Sequence, residues 1–415
     1  MTEIMLHNAP SNWQRKRLGQ LFRERREKVS DKDFPALSVT KHGILPQLET
    51  AAKSDDGDNR KGVRAGDFVI NSRSDRKGSG GLSDRDGSVS LINIVLQPRG
   101  IEPRFAHHLL RSPAFQEEFY RWGHGIVADL WTTRYSEMKN ILLAVPADLD
   151  TQKAIADFLD RETARIDELI EKKQRLVGLL SEREQNNLIQ VFAELSKEAR
   201  CWKVSHVCLL KRGRFNYRPR NAPELYDGEH PFLQTGDVAR AKKYIRAHKQ
   251  TLTDLGASVS ARFPRGTVLM AIAANVGDVA ISEFDAFCPD SVVGFVPSKK
   301  LDKEFLYYAL RSLRLSIATS STSNAQDNTN IARLGTLKVP LPELSVQRRI
   351  VESLEYAETR NHALADSTTR SIERLWEFRS ALITAAVTGQ IDVTTWGKQG
   401  QTDRRLDEIE EAMQA

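Results

Sequence analysis

The stretch VPLPELSVQRRIVESL (residues 339–354) changes character halfway along. Pro340 and Pro342 bar a helix at its start, and from Ser345 to Thr388 there is neither proline nor glycine. VPADLDTQKAIADFLD (residues 145–160) makes the same transition, with Pro146 at the boundary and a long stretch beyond it broken only by Gly178. Each junction therefore opens a long helix, expected from Thr151 to Phe192 and from Ser345 to Val387. In the first, Ile155, Leu159, Ile166, Leu169, Leu176 and Leu180 recur at three- and four-residue spacing. In the second, Ile350, Leu354, Ala357, Leu364, Leu375 and Leu382 keep one heptad phase, with Asn361, Thr368 and Ser371 as polar interruptions. A 3.5-residue period flanked by charge predicts a coiled coil. At 1.5 Å per residue, helices of ~40 residues reach about 60 Å.

Outward from the junctions, the chain repeats itself at an offset of about 189 to 200 residues. Trp13 answers to Trp202, FPALSVT (34–40) to HPFLQTG (230–236), and RAGDFVI (64–70) to PRGTVLM (264–270). HHLLRSP (107–113) answers to YYALRSL (307–313), and the two junctions to each other. Before each junction lie about 140 residues of short apolar runs broken by Gly, Pro, Asn and Asp. Val63–Asn71, Val89–Leu96, Thr267–Ala273 and Val292–Val296 read as strands. The expected fold class is α+β: two pseudo-repeated mixed α/β domains joined by two long helices. The expected boundaries are 1–145 and 196–340 for the globular domains, 146–195 and 341–393 for the helical regions, and 394–415 for a tail.

At 415 residues, with 40% apolar and 28% charged residues, the chain can build several packed cores and is not disordered overall. Lys+Arg at 61 against Asp+Glu at 55 gives +6, a surplus that permits an anionic partner without demanding one. Three cysteines, Cys201, Cys208 and Cys288, are too few for a disulfide framework and point to a reducing, cytoplasmic setting. MTEIMLHNAP lacks the basic start and apolar run of a secretory leader, and no apolar stretch nears the ~20 residues a membrane helix needs.

Catalytic signatures are missing. There is no phosphate-binding GxxxxGK[ST] loop; GSGG (78–81) lacks the Lys-Ser/Thr that must follow. The Asn/Asp-Pro-Pro-aromatic signature of amino-methyltransferases does not occur. Cys201, His206 and Cys208 are too few for zinc, DDGDN (55–59) lacks the closing Glu of a calcium loop, and acids around Asp290 form no specific nuclease pattern. What stands out are basic loops in both copies: Arg15–Arg17 with Arg23, Arg25 and Arg26; RSDRKG (73–78); KRGRFNYRPR (211–220); RAKKYIR (240–246). Such loops neutralise phosphates and place Asn, Gln or Arg against base edges, although a solvated charged face has the same composition.

The two junctions resemble the segments that open the helical regions in specificity subunits of type I restriction–modification systems. ETARIDELIEKKQRLVGLLSER (162–183) resembles that family's central spacer helix, and AAVTGQID (385–392) its C-terminal close. FPALSVTKHGILPQ (34–47) and GHGIVADLWTTRY (123–135) resemble one subgroup of its variable domains. Departures are the reduced proline pattern at Ala144–Pro146, Thr before Gln152, and a tail after Val393 that is outside the pattern and reads as a short partner-binding helix or a frayed end.

The resemblance implies a non-catalytic subunit whose two target-recognition domains read a bipartite, asymmetric double-stranded DNA sequence with a fixed spacer, the helices pairing antiparallel. It implies two methyltransferase subunits using S-adenosylmethionine, and restriction/translocase subunits using ATP and Mg²⁺, with no cofactor or metal on this chain. Expected DNA contacts are Lys41, His42, Arg73, Arg76 and Lys77 in the first copy, and Lys242, Lys243, Tyr244 and Asn275 in the second. Lys172, Lys173, Arg175, Arg374 and Arg379 are the candidate partner-docking surface. Two other readings stay open on the residues alone: a self-contained nuclease or methyltransferase with a fused reader, and a coiled-coil scaffold binding nucleic acid.

Overall fold

A computed structural model of the chain describes residues 9–47, 57–125, 131–274, 276–314, 316–317 and 331–414. It holds two long helices, Leu149–Glu198 and Leu344–Val387, which begin and end within a few residues of the sequence expectation except at Glu198. Asp167 of the first meets Arg379 of the second, and Glu184 of the first lies 3.5 Å from His362. As one helix advances the other retreats, so they run antiparallel. The chain divides inside both helices, into a first unit (Met1–Arg175 and Ser367–Ala415) and a second (Leu176–Asp366).

In the first unit, strand Trp13–Arg17 pairs antiparallel with Leu142–Pro146, so the start of the globular region is stitched to the strand that leads into the helix. A four-stranded antiparallel sheet runs in the order Phe22–Glu24, Asn93–Pro98, Phe68–Asn71, Gly80–Leu82. Beside it lie the three-stranded sheet Lys28–Val29, Arg60–Val63, Gly87–Val89 and the hairpin Leu37–Thr40/Gly43–Pro46. The run 63–71, expected as one strand, is broken because Gly66 turns at φ +89°, a conformation a Cβ would resist. The expected strand 89–96 is likewise split, since the chain changes sheets between Val89 and Asn93. Helices Pro103–Arg111 and Pro113–Arg121 cover the main sheet; Phe105, Leu109, Phe115 and Phe119 are fully buried with Ile166, Leu375 and Leu382 of the long helices.

The tail is helical, which sets aside the frayed-end alternative. Helices Val393–Lys398 and Gln401–Gln414 follow the second long helix, and Leu406 and Ile409 join the core of the first unit. Asp403 pairs with Arg165 and Glu410 with Lys173 at 2.9 Å. Both partner numbers rise together, so this helix runs parallel to the first long helix. It is a packed third helix and not a frayed end.

The second unit repeats the plan with larger sheets. Cys201–Lys203 pairs with Lys338–Pro340. A five-stranded sheet runs Cys208–Arg212, Val292–Pro297, Val268–Ala271, Val279–Ser282, Tyr244–Ile245, and a four-stranded one runs Gln250–Leu252, Tyr226–Phe232, Ala286–Cys288, Ala261–Phe263. Gly266 turns at φ +84°, matching Gly66, and helix Lys303–Ser312 matches Pro103–Arg111.

One buried glutamine locks each junction. Gln152, 2% exposed, accepts the Glu102 N–H at 2.8 Å and donates to the Pro146 carbonyl at 2.9 Å. Gln347, fully buried, accepts the Asp302 N–H at 2.8 Å and donates to the carbonyls of Pro342 and Lys300 at 2.8 and 2.9 Å. Glu102 and Asp302 in turn cap the helices that follow them, through Phe105 N–H and through Glu304 and Phe305 N–H. The glutamine of the junction motif thus ties the start of the long helix to the start of the domain helix. Among the described residues no helix is long and apolar enough to cross a membrane.

Candidate nucleic-acid interface

In the first unit the hairpin Leu37–Pro46 and the loop after Asn71 form two walls. Lys41 and His42 sit exposed at the hairpin tip. Gly43 (φ +112°) makes the turn, and the Thr40 hydroxyl pins it by donating to the Gly43 carbonyl and accepting from His42 N–H, both at 3.0 Å. The Arg111 guanidinium donates to the Lys41 carbonyl, fixing the tip from below. Opposite, Arg73 bridges to Thr132, its N–H donating to Asn71 Oδ1 at 3.0 Å, and a 3₁₀ turn Ser74–Arg76 carries Arg76.

Between the walls lies an open cleft of about 840 Å³ lined by Lys41, Asn71, Asp75 and Arg76, with Arg60 and Asn93 at its base. Arg60 is 5% exposed; its guanidinium donates to the Ser88 hydroxyl and carbonyl at 2.8 and 3.1 Å. No described carboxylate lies within ion-pairing distance of it. Burial, only partly offset by the more distant Asp31, lowers its pKa. A cation held under low-dielectric walls projects a positive field into the cleft above it.

The structure thus brings Lys41 and Arg76 to one cleft and sets His42 at its rim. Arg73 is exposed beside the bridge to Thr132. Lys77 is engaged by Glu117 and lies 6.0 Å from the centre of the Tyr120 ring. Sequence reasoning missed Arg60, Asn71 and Asn93. The available signal was a polar residue closing or opening an otherwise apolar strand, in FVIN (68–71) and NIVL (93–96).

The second-unit candidates fall elsewhere. Lys243 is 13% exposed, pairs with Glu355 at 2.5 Å and sits 4.8 Å from the centre of the Tyr308 ring. Tyr244 donates to Glu304 at 3.0 Å, and its phenol is pushed above its usual range by burial and that carboxylate. Both brace the fold, Lys243 through Glu355 and Tyr244 through Glu304. Lys242 has an exposed side chain while its carbonyl accepts from the Tyr307 hydroxyl at 2.8 Å. Asn275 lies outside the described residues. The loop 211–220 is held by its own chain: Arg212 donates to the Asp290 carbonyl and Arg220 pairs with the Asp290 carboxylate, both at 2.8 Å.

On the helices, Lys172, Arg175 and Arg374 are exposed, Lys172 pairing with Glu168. Arg379 is held by Asp167 through two bonds of 2.8 and 3.0 Å. Lys173 is 7% exposed under the tail helix, so it is not on an open docking face. Burial pushes the Cys208 thiol up to about 12, and among the described residues no group of three or more His, Cys, Asp or Glu is placed to hold a metal ion.

These features define a class: a repeated α+β protein built on two long helices. Residues 204–374 match the family described as type I restriction modification DNA specificity domain. The fold is similar to a chain from a study of complex assembly and conformational transition in the type I R-M system, at 18% identity, covering 92% of this chain and 99% of that one, with a TM-score of 0.69. It is also similar to the HsdS subunit from Thermoanaerobacter tengcongensis, at 21% identity over 94% and 100% of the two chains, with a TM-score of 0.56. The family match lies almost wholly within the second half of the chain, and the two solved structures share the fold over nearly all of it.

Proposed function

We propose that this chain is the non-catalytic DNA-reading subunit of a type I restriction–modification complex, each unit reading one half of a split, asymmetric duplex target. The repeat of one plan on a shared antiparallel helix pair carries this reading, since two related readers suit two half-sites with a fixed gap. The two copies differ at the residues that matter, which makes the half-sites different. In the first unit Lys41 and Arg76 contact phosphates, Arg60 supplies field from beneath, and His42 and Arg73 lie close enough to assist. Two methyltransferase subunits, carrying S-adenosylmethionine, dock on the helical regions, with exposed Lys172, Arg175 and Arg374 as contact surface; ATP- and Mg²⁺-dependent restriction subunits join them.

The test is a pull-down from the native host with methylome sequencing in the presence and absence of this gene. One split adenine-methylated motif should vanish in the deletion, and a methyltransferase should co-purify; an unchanged methylome overturns the reading. In binding to the motif, Lys41→Ala and Arg76→Ala should each weaken affinity for all sequences alike and reduce the log–log salt slope by about one.

A further inference from the structure

Equivalent faces of the long helices are covered in the first unit and bare in the second. In the first, the tail helix Gln401–Gln414 lies along the first long helix. Asp403 pairs with Arg165 and Glu410 with Lys173, while Leu406 and Ile409 are buried in one core with Ile166, Ile170 and Leu375. Leu169 packs against that core and is half-buried, and Gly397, in the short helix before the tail helix, lies beside Arg161. Counting from the junction glutamines Gln152 and Gln347, the second unit's counterparts are Tyr356 for Arg161, Arg360 for Arg165 and Leu364 for Leu169. On the other long helix, Leu180 answers to Leu375.

These counterparts line an open groove of about 320 Å³ in the second unit. Its apolar side chains face water: Tyr356 is 66% exposed and Leu364 42%. Arg360 stands 5.8 Å from the centre of the Tyr356 ring, and Arg183 lines the groove from the other helix. The carboxylates next to them along the chain, Glu184 and Glu358, are held by Arg311. Among the described residues neither Arg183 nor Arg360 has a carboxylate within ion-pairing distance, whereas Arg165 has Asp403. The occupant seated in the first unit shows what chemistry such a groove accepts. Asp403, Leu406, Ile409 and Glu410 recur at three- and four-residue spacing, so one helix face carries both the aliphatic contacts and the carboxylates.

Resting on the methyltransferase docking proposed above, we propose that the second unit's groove takes an acidic amphipathic helix of that partner, and that the tail is a built-in occupant of the equivalent groove in the first unit. The incoming helix sets a carboxylate against Arg360, as Asp403 sits against Arg165, and covers Leu364 and Leu180 with aliphatic side chains. Arg183 and Arg360 turn away basic helices of the same shape. The two methyltransferase subunits therefore dock unequally. The first inserts its helix in the open groove, and the second meets a groove already filled by this chain's own tail.

The experiment titrates the full chain with the methyltransferase subunit that co-purifies with it, followed by native mass spectrometry. If no methyltransferase binds, the docking reading itself fails and this inference with it. If it binds, the one-to-one complex should accumulate before the two-to-one complex; equal, independent filling overturns the inference while leaving the docking reading standing. Arg360→Glu should weaken the first step about tenfold and Leu364→Asp about a hundredfold. Both side chains are exposed, so melting curves should match wild type, and an unchanged first step in both variants overturns the groove assignment. A photo-crosslinking side chain in place of Tyr356 should join to a methyltransferase helix with carboxylates at three- or four-residue spacing. A cross-link to a second copy of this chain, or none within the assembled complex, overturns it. Asp403→Lys combined with Glu410→Lys reverses both of the tail's ion pairs and should strengthen the second step about tenfold. A chain ending at Gln399 repeats that test should the reversed tail fail to fold; a second step unchanged in both overturns the tail's part.

Discussion

Arg111 and Arg311 hold the same place in the repeated segments HHLLRSP and YYALRSL, yet they work on different parts of the molecule. Arg311 lies between the two long helices, its guanidinium donating to Glu184 at 2.9 Å and to Glu358, while Tyr308 donates to Glu358 at 2.6 Å. It is a brace, and both carboxylates depend on it. Arg111 instead reaches the Lys41 carbonyl at the hairpin tip and stays near Arg379 on the helix, where burial and that second cation lower its pKa. In one unit the repeat's arginine stiffens the rod; in the other it positions the wall of the cleft. Duplication preserved the backbone plan and released the side chains for separate uses.

The contrast breaks most visibly at Arg311. Arg311→Met should destabilise the second unit by about 3–5 kcal/mol, because it strands two largely buried carboxylates. Arg111→Met should cost far less stability and act on DNA selection. Denaturant unfolding with a probe in each unit checks both; equal losses would erase the distinction.

Acid should separate the units next. His107 stands where the second unit has Tyr307; burial, with Arg111 adding, holds its pKa down to about 3, and its Nδ1 accepts the Leu82 N–H at 3.1 Å. The unfolded chain takes up this proton below about pH 6.5 and the folded unit only near 3, so stability is lost as pH falls between those values. The loss should be about 3 kcal/mol by pH 4, confined to the first unit. His107→Gln, which keeps an acceptor without a titration, should flatten that slope in a pH series of melting curves.

The smallest effect sharpens the likeness. Gln152→Ala and Gln347→Ala each orphan a buried N–H and at least one carbonyl, and should cost about 2 kcal/mol apiece in their own units. Markedly unequal losses would mean the two junctions are not the same device.

Much of this was legible in the residues. Prolines followed by a long 3.5-residue period placed both helices, because helix breakers and apolar spacing act locally. The repeat was legible because its glycines, prolines and junction glutamines are held by backbone geometry common to both copies. The candidate site was only half legible. Lys41 and Arg76 were found as basic residues in loops, but Lys243 and Tyr244 had the same local appearance and are occupied by Glu355 and Glu304. Lys173 looked like an exposed flank until Glu410, far along the chain, covered it.

The sequence by itself determined the two long helices, the duplication and the α+β texture, since each follows from short-range preference and periodicity. The tertiary structure alone decided which cations are free and which are braces, that the tail is a third helix, and that Asn71 and Asn93 meet at one cleft. Those outcomes depend on contacts between residues tens to hundreds of positions apart, where charge pairing and burial are settled only once the chain has folded.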